Sequence, residues 1–178
     1  AASKRADEIY ADAFTAAYGL SSIGLRYFNV FGARQNPEGP YAAVIPRWLS
    51  ALQKGEAGHI FGDGKTTRDF CYIQNVVQAN LLAALAADEA AGNVFNIAVG
   101  TSTSLNELYE MLGKSLLSRG VIKNIPKPMY GDFRKGDVRD SLANIERAEK
   151  LLGYAPTHDL RQGIEGLIED ELGPVGTK

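Results

Sequence analysis

The stretch Leu25–Gly32, which reads LRYFNVFG, decides the fold that this sequence predicts. Apolar residues alternate through its first half, at Leu25 and Tyr27, and predict a strand over about residues 22–28. Immediately upstream, residues 2–18 carry apolar side chains at helical spacing and predict an amphipathic helix. A helix joined to a strand by a short link is half of a doubly wound α/β unit, so we expect an α/β fold.

The rest of the chain continues to alternate predicted helices and short strands. Ser104 and Glu107 form a capping box, which marks the start of one helix. Prolines and glycines predict a loop over residues 125–136. Helices are predicted over about residues 46–54, 75–90, 105–118, 145–152 and 160–171, and strands over residues 59–61, 68–73 and 93–98.

The composition excludes several classes of function. The 178 residues are 45% hydrophobic and 22% charged, with a net charge of −2, which gives no general attraction to nucleic acid or to an anionic membrane. No apolar run approaches the length of a bilayer span. The two histidines, His59 and His158, lie far apart and show no metal-ligand spacing with the single cysteine, so we expect no metal site.

Cys71 is the only cysteine, which excludes an internal disulfide. A chain with one thiol fits a reducing compartment and predicts a cytoplasmic protein. The neighbouring residues 69–73 are typical of a buried strand. We therefore expect an inert core thiol rather than a reactive one.

Two arginines stand in motifs suited to a phosphate ligand. Arg68 lies in FGDGKTTRDF, residues 61–70, after a Gly-Asp-Gly turn and before a predicted strand. Arg134 opens the sequence RKGD. Guanidinium groups offer forked donors that match a diphosphate. The alternative interpretation is that Arg68–Asp69 and Arg134–Asp137 are surface ion pairs, worth about 0–1 kcal/mol each.

LRYFNVFG and FGDGKTTRDF together resemble the C-terminal half of the extended short-chain dehydrogenases/reductases, specifically the UDP-sugar 4-epimerases of the NAD-dependent epimerase/dehydratase family. The resemblance runs from Lys4 to about Leu172, which is half of the family's usual length. It implies that residues 1–34 end an NAD-binding domain with a doubly wound Rossmann-type sheet. Residues 35–178 would form a smaller α/β nucleotide-sugar-binding domain, with residues of about 70–98 returning to the sheet.

The resemblance implies that Lys4 is the catalytic lysine and binds the nicotinamide ribose of NAD. A lysine lowers the pKa of a tyrosine placed four residues before it on a helix, which makes the phenol an acid/base near neutral pH. That tyrosine position and a glycine-rich NAD loop are not in the sequence. We therefore expect NAD to bind mainly elsewhere in a longer protein, and this chain alone to be inactive. Tyr27 and Phe28 would line the nicotinamide pocket; the alternatives are core packing of both and a solvated Lys4.

The same resemblance implies roles for the residues that would bind the diphosphate and the nucleoside. Arg68 and Arg134 would clamp the diphosphate, and Asp137 would accept hydrogen bonds from the ribose hydroxyls. Phe61 precedes the Gly62 turn, where an aromatic ring would be placed to stack on uracil.

Further positions would contact the base edge and the sugar. In the family, backbone groups near Ala43 and Val44 meet the base edge, and the counterpart of Asn29 contacts the sugar. Ser141 stands four residues after Asp137, at the position that gates the sugar pocket. A tyrosine there restricts the pocket to unmodified hexoses, whereas a serine leaves room for a 2-acetamido group. The resemblance thus implies a protein that accepts UDP-N-acetylhexosamines beside UDP-hexoses.

The implied activity is inversion of C4 of a UDP-sugar through a 4-keto intermediate, with NAD taking and returning the hydride. This chemistry belongs to nucleotide-sugar metabolism for polysaccharide biosynthesis. The first helix resembles one that forms a four-helix dimer interface in the family, which implies a homodimer of the full-length protein. The alternatives are a nucleotide-sugar 4,6-dehydratase, reductase or decarboxylase of the same fold, or a non-catalytic nucleotide-sugar-binding fragment.

Overall fold

The computed structural model describes residues 2–39 and 43–173, which form an α/β structure. The helices are α1 (Ala2–Tyr18), α2 (Val44–Gln53), α3 (Ile73–Ala84), α4 (Leu105–Ser118), α5 (Glu146–Leu152) and α6 (Leu160–Leu172), with a short 3₁₀ helix at Asp88–Ala90. The strands are β1 (Gly24–Tyr27), β2 (Val30–Phe31), β3 (His59–Phe61), β4 (Thr67–Arg68), β5 (Cys71–Tyr72), β6 (Val94–Ile97), β7 (Thr103–Ser104) and β8 (Met129–Gly131).

The strands pair mostly in parallel. β1 lies beside β6, with Leu25 opposite Phe95, and β2 lies beside β5. β3 pairs with β8 in parallel, and β4 pairs with β7 in antiparallel orientation. Parallel partners that are distant in sequence and joined through helices are typical of an α/β fold, which confirms the predicted fold class.

Local sequence signals set several helix boundaries. In α4, the Ser104 side chain accepts from the backbone N–H of Glu107, and the Glu107 carboxylate accepts in return from the Ser104 backbone, as the capping box predicted. Asp159 and Gln162 form a second capping box at the start of α6. Gly153 ends α5 at φ 65°, in the left-handed conformation that glycine adopts without strain.

The predicted strand over residues 68–73 is wrong as a single element. It divides into β4 and β5, because Asp69 between them is fully buried and directs its carboxylate to the backbone N–H groups of Val99 and Gly100, both at 3.0 Å. The predicted helix over residues 75–90 is also too long. It ends at Ala84 and is followed by the separate 3₁₀ helix.

The predicted loop over residues 125–136 contains a strand. β8 forms there because its backbone pairs with β3, which comes about 70 residues earlier in the chain. The two-residue strands β2 and β7 were not predicted, since two residues are too short to show an alternating pattern.

The core consists of two apolar clusters. One packs α2, α4 and α6 together and includes Leu52, Leu112 and Ile164. The other lies against β1 and β6 and includes Phe95 and Cys71. Cys71 is fully buried, and burial raises the pKa of its thiol to about 11. The thiol is therefore protonated at neutral pH, in agreement with the predicted inert core position.

Helix α1 contributes no side chain to either cluster. None of its residues is buried, and Ile9, Tyr10, Phe14 and Tyr18 are all exposed. This apolar face agrees with the predicted amphipathic helix.

An ion-pair network centred on Glu8 connects α1 to β1. The Glu8 carboxylate accepts from Arg26 Nε at 2.6 Å and Nη2 at 2.8 Å, and from Arg5 Nη1 at 2.6 Å. These hydrogen bonds, first from Arg26 and then from Arg5, lower the pKa of Glu8 from 4.5 to about 2. A depressed carboxylate pKa stabilises the folded state above the unfolded pKa, and the stabilisation is lost as the pH falls toward the folded pKa.

The Glu8→Gln variant is therefore expected to melt at a lower temperature than the wild type near pH 6, and the difference is expected to disappear between about pH 4.5 and pH 2. Thermal unfolding of both proteins across this range measures it. Glu146→Gln is the matched control, because Glu146 pairs with Lys150 at 3.5 Å on an exposed helix face. A Glu8→Gln difference that is the same at pH 6 and pH 2.5 contradicts the prediction.

Candidate functional site

A cleft of about 350 Å³ opens between α2, β3, β4 and the segment that follows β8. Its lining includes six of the residues that the sequence predicted for the substrate: Asn29, Val44, Phe61, Arg68, Arg134 and Asp137. Residues separated by more than 100 positions in the chain thus meet in one cavity.

Arg68 lies at the end of β4 with only 16% of its side chain exposed. Its Nη1 donates to the carbonyl of Thr67 at 2.7 Å, and its Nη2 donates to the Asp137 carboxylate at 2.5 Å. The alternative pairing with Asp69 is wrong, since Asp69 points away into the protein interior. Both terminal nitrogens of the guanidinium group therefore have a partner, and these two hydrogen bonds fix its direction in the cleft.

Asp69, the residue after Arg68, is fully buried and binds backbone groups of three residues elsewhere in the chain. Its carboxylate accepts from the backbone N–H groups of Val99, Gly100 and Ala143, the last at 3.3 Å. Burial raises the pKa of Asp69, and these three hydrogen bonds oppose that rise. This role was not predicted from the sequence. An acidic residue directly before the apolar run Phe70–Ile73 is the signal that could have indicated a buried carboxylate.

Arg134 and Asp137 face the cleft from one tight turn. The backbone N–H of Asp137 donates to the Arg134 carbonyl at 3.2 Å, and Gly136 adopts φ 82° between them. The Arg134 guanidinium lies over the Phe61 ring, 3.9 Å from the ring centroid. The alternative pairing of Arg134 with Asp137 is not formed; Asp137 pairs with Arg68 instead.

The turn belongs to a segment that we call the strap, residues 131–141, which closes one side of the cleft. Arg139 of the strap forms an ion pair with Asp63 at 2.7 Å. Thr67 donates its side-chain hydroxyl to Asp140 at 2.9 Å and its backbone N–H to the Arg139 carbonyl at 2.8 Å. These contacts hold the strap against β4 and the Gly-Asp-Gly turn before it.

The charges of the cleft suit an anion. Three arginines line it, Arg47, Arg68 and Arg134, against the single carboxylate of Asp137. This surplus of cations contrasts with the net negative charge of the whole chain. Forked guanidinium donors bind phosphate oxygens in pairs, so the cleft is suited to a phosphate or diphosphate. Arg47 was not predicted from the sequence, although its position next to Pro46 at the start of α2 was an available signal.

Other predicted substrate residues lie in or beside the cleft. Asn29 is exposed, adopts φ 37° and donates its side-chain amide to the Asp69 carbonyl at 2.9 Å. Ala43 is exposed just before α2 but does not belong to the lining, and neither does Ser141. Ser141 is held beside β4, where its backbone N–H donates to the Thr67 carbonyl at 3.3 Å.

The predicted cofactor residues do not join this cleft. Lys4 and Tyr27 line a second cleft of about 710 Å³ between α1 and β1. Lys4 is 86% exposed and lies 3.4 Å from the Asp7 carboxylate, and the Tyr27 hydroxyl donates to Asn80 at 3.1 Å. Phe28 is half-buried and follows β1, where its backbone N–H donates to Ile97.

Two other features are absent from the part of the chain that the structure describes. Within residues 2–39 and 43–173, no three His, Cys, Asp or Glu side chains are grouped so that they could hold a metal ion. Over the same residues, no helix combines the length and the apolar character that crossing a bilayer requires.

Comparisons with solved structures agree with the fold. The UDP-glucose 4-epimerase of Thermotoga maritima, solved with UDP-glucose, is 37% identical with a TM-score of 0.84, over 93% of this chain and 50% of that one. A UDP-N-acetylglucosamine 4-epimerase of Methanobrevibacter ruminantium, in complex with UDP-N-acetylmuramic acid, is 36% identical with a TM-score of 0.85, over 94% and 51%. The UDP-glucose 4-epimerase of Thermus thermophilus, in complex with NAD, is 26% identical with a TM-score of 0.83, over 98% and 54%.

Sequence comparisons point the same way. The UDP-glucose 4-epimerase of Mycolicibacterium smegmatis is 34% identical over 169 residues, which are 95% of this chain and 51% of the relative. A UDP-N-acetyl-α-D-glucosaminuronate decarboxylase of Bacillus cytotoxicus is 27% identical over 151 residues, 85% of this chain and 46% of the relative. The chain spans about half the length of the curated relatives it matches. The model of the NAD dependent epimerase/dehydratase family matches residues 1–98, more than half of the chain, and the chain therefore belongs to that family.

Proposed function

We propose that the cleft binds the UDP portion of a UDP-sugar, and that this chain forms the nucleotide-sugar-binding part of an NAD-dependent UDP-sugar 4-epimerase. The observation that carries the proposal is the meeting of Arg68 and Arg134 in one cleft. Two guanidinium groups suit the two phosphates of a nucleoside diphosphate in number and in donor geometry.

The neighbouring residues suit the rest of the nucleotide. Asp137 is 44% exposed and can accept from ribose hydroxyls once the diphosphate shares Arg68. Backbone groups at Ala43 and Val44 stand at the start of α2, where they can meet the base edge. Asn29 follows β1 at the carboxyl end of a parallel strand, which is where ligands bind in doubly wound sheets, and it is the proposed contact to the sugar.

Ser141 is the proposed determinant of sugar size. It is the last residue of the strap, the segment that also carries Arg134 and Asp137, and its backbone N–H binds Thr67. A serine at this point leaves space that a tyrosine would fill. We therefore propose that UDP-N-acetylhexosamines are accepted beside UDP-hexoses.

The cofactor role of this chain is confined to a few side chains. The exposed Lys4 ammonium has free donors for a nicotinamide ribose hydroxyl, and Tyr27 and Phe28 are the proposed wall of the nicotinamide pocket. When NAD is bound, it supplies the hydride acceptor for C4. Lys4 would also lower the pKa of a tyrosine four positions upstream, which the sequence does not include. We propose that most NAD contacts lie elsewhere in the protein and that this chain binds substrate without turnover.

The proposed division of the chain follows from the same reasoning. Residues 1–34 would belong to the NAD-binding domain and residues 35–178 to the substrate domain. Pairing of β1 with β6 supports a return of residues of about 70–98 to the first domain's sheet. The exposed apolar face of α1 is the proposed dimer contact of the full-length protein.

A second candidate function is decarboxylation of a UDP-uronic acid. The Bacillus cytotoxicus relative favours it, since the same fold carries both activities among the relatives of this chain. Product analysis with UDP-N-acetylglucosamine and with a UDP-uronic acid as alternative substrates of the full-length protein distinguishes the two.

Calorimetric titration with uridine, UMP and UDP tests the proposed function. Each phosphate adds charge-assisted hydrogen bonds, so we expect affinity to rise by about tenfold or more with each one. Arg161→Gln is the control, because Arg161 lines a different cleft between α4 and α6. The proposal fails if UDP binds no more tightly than uridine.

Epimerisation of UDP-glucose by the 178-residue chain alone would contradict the proposed lack of turnover.

A further inference from the structure

The Phe61 ring already has two partners in the cleft. The Arg134 guanidinium lies over the ring, 3.9 Å from its centroid, and the His59 ring lies 4.5 Å away at an angle of 59°. His59 itself is packed against Gly131, at the start of the strap. The Phe61 ring therefore already contacts Arg134 and His59, and the face under Arg134 is not free for a base to stack on.

Arg134 depends on this ring for its direction. Its guanidinium forms no ion pair with any described residue. Arg68 differs, because its two terminal nitrogens donate to Thr67 and Asp137. A long, exposed side chain loses conformational entropy when a ligand fixes it. A guanidinium that already rests on an aromatic face has lost part of that freedom before the ligand arrives.

We propose that Phe61 is a positioning residue that aims Arg134 at the diphosphate, rather than a stacking partner for uracil. The inference rests on the proposed function, since it deepens the role of the same cleft. The cation–π contact places the centre of the guanidinium over the ring, and none of its N–H donors forms an ion pair with a described residue. Arg134 lines the same cleft as Arg68, which reaches it from β4.

Contacts of Phe133 and Arg139 also hold the strap in place beside Arg134. Phe133, the residue before Arg134, packs its ring directly on the backbone of Gly62, where a Cβ atom would not fit. Arg139 lies over the Phe133 ring at 5.4 Å while it pairs with Asp63. Phe133 thus anchors the strap at Gly62, while the next residue, Arg134, lies over Phe61 in the cleft.

The two roles of Phe61 predict opposite ligand dependences. If the ring acts through Arg134, Phe61→Leu weakens binding of UDP and of inorganic pyrophosphate by about fivefold and leaves uridine binding unchanged. In an Arg134→Gln background, Phe61→Leu has no further effect on UDP. Phe61→Tyr keeps the aromatic face and keeps wild-type affinity. Titrations use the 178-residue chain, by calorimetry for UDP and pyrophosphate and by NMR shifts for uridine.

A structural readout accompanies the titrations. A guanidinium over a ring face has its Nε–H resonance shifted upfield, and this shift of Arg134 is expected in the wild type and in Phe61→Tyr but not in Phe61→Leu. Phe61→Met repeats the test with a second aliphatic side chain in case Phe61→Leu does not fold. The inference is overturned if Phe61→Leu weakens uridine and UDP by the same factor and leaves pyrophosphate unchanged. Failure of the wild type to bind UDP at all is a different result, which overturns the proposed function.

Discussion

Replacing Asp69 with alanine is expected to lower the free energy of unfolding by about 3–5 kcal/mol. The Asp69 carboxylate is fully buried and is the acceptor for the backbone N–H groups of Val99, Gly100 and Ala143. Each buried donor left without an acceptor costs about 1–3 kcal/mol. The unfavourable burial of the charge, which raises the pKa of Asp69, offsets part of this sum.

Urea denaturation of the variant and the wild type measures the difference. Asp69→Asn is expected to fall between them, because the amide retains one acceptor oxygen for three donors. Asp140→Ala is the matched control, since Asp140 accepts one hydrogen bond from Thr67 at the surface. A loss of less than about 1 kcal/mol for Asp69→Ala would show that the three donors find other acceptors or water.

Replacing Arg68 with glutamine is expected to weaken UDP binding by about 100-fold and to leave uridine binding almost unchanged. Arg68 is the most enclosed cation of the cleft, and Asp137 and Thr67 fix its guanidinium before a ligand arrives. Charge-assisted hydrogen bonds to phosphate are strong where the cation is partly shielded from water.

Arg68→Lys separates charge from geometry. We expect an affinity for UDP between those of the wild type and Arg68→Gln, because an ammonium retains the charge but lacks the fork. Arg47→Gln provides a matched comparison with an exposed arginine on the same cleft, for which the expected loss is smaller. The prediction is wrong if Arg68→Gln weakens uridine as much as UDP, because the effect would then reflect a general collapse of the cleft.

Elements with a complete local signal could be predicted from the sequence. Helix α1 begins and ends at the predicted residues because its apolar face repeats over 17 residues. Helix α4 was located through the capping box at Ser104, and β3 through its three residues before the glycine turn. The grouping of Arg68 with Arg134 was predicted from the family resemblance, and the structure places both in one cleft.

Features that depend on distant partners could not be predicted. β8 exists because β3 supplies its hydrogen bonds, and no local pattern among its neighbouring prolines indicates a strand. The pairing of Arg68 with Asp137 rather than with the adjacent Asp69 depends on a contact across 69 positions. The ion pair of Arg139 with Asp63 could not be predicted either, since a charged residue in the sequence does not indicate which distant residue it pairs with.

The buried position of the only cysteine has a practical consequence. Cys71 is shielded from solvent and its thiol stays protonated at neutral pH, so it is a poor target for maleimide reagents. A cysteine introduced at Lys135, which is exposed in the strap, would be the one thiol that a fluorophore or spin label reaches. Probes attached there would follow motion of the segment over the cleft without any need to remove the native sulfur atom.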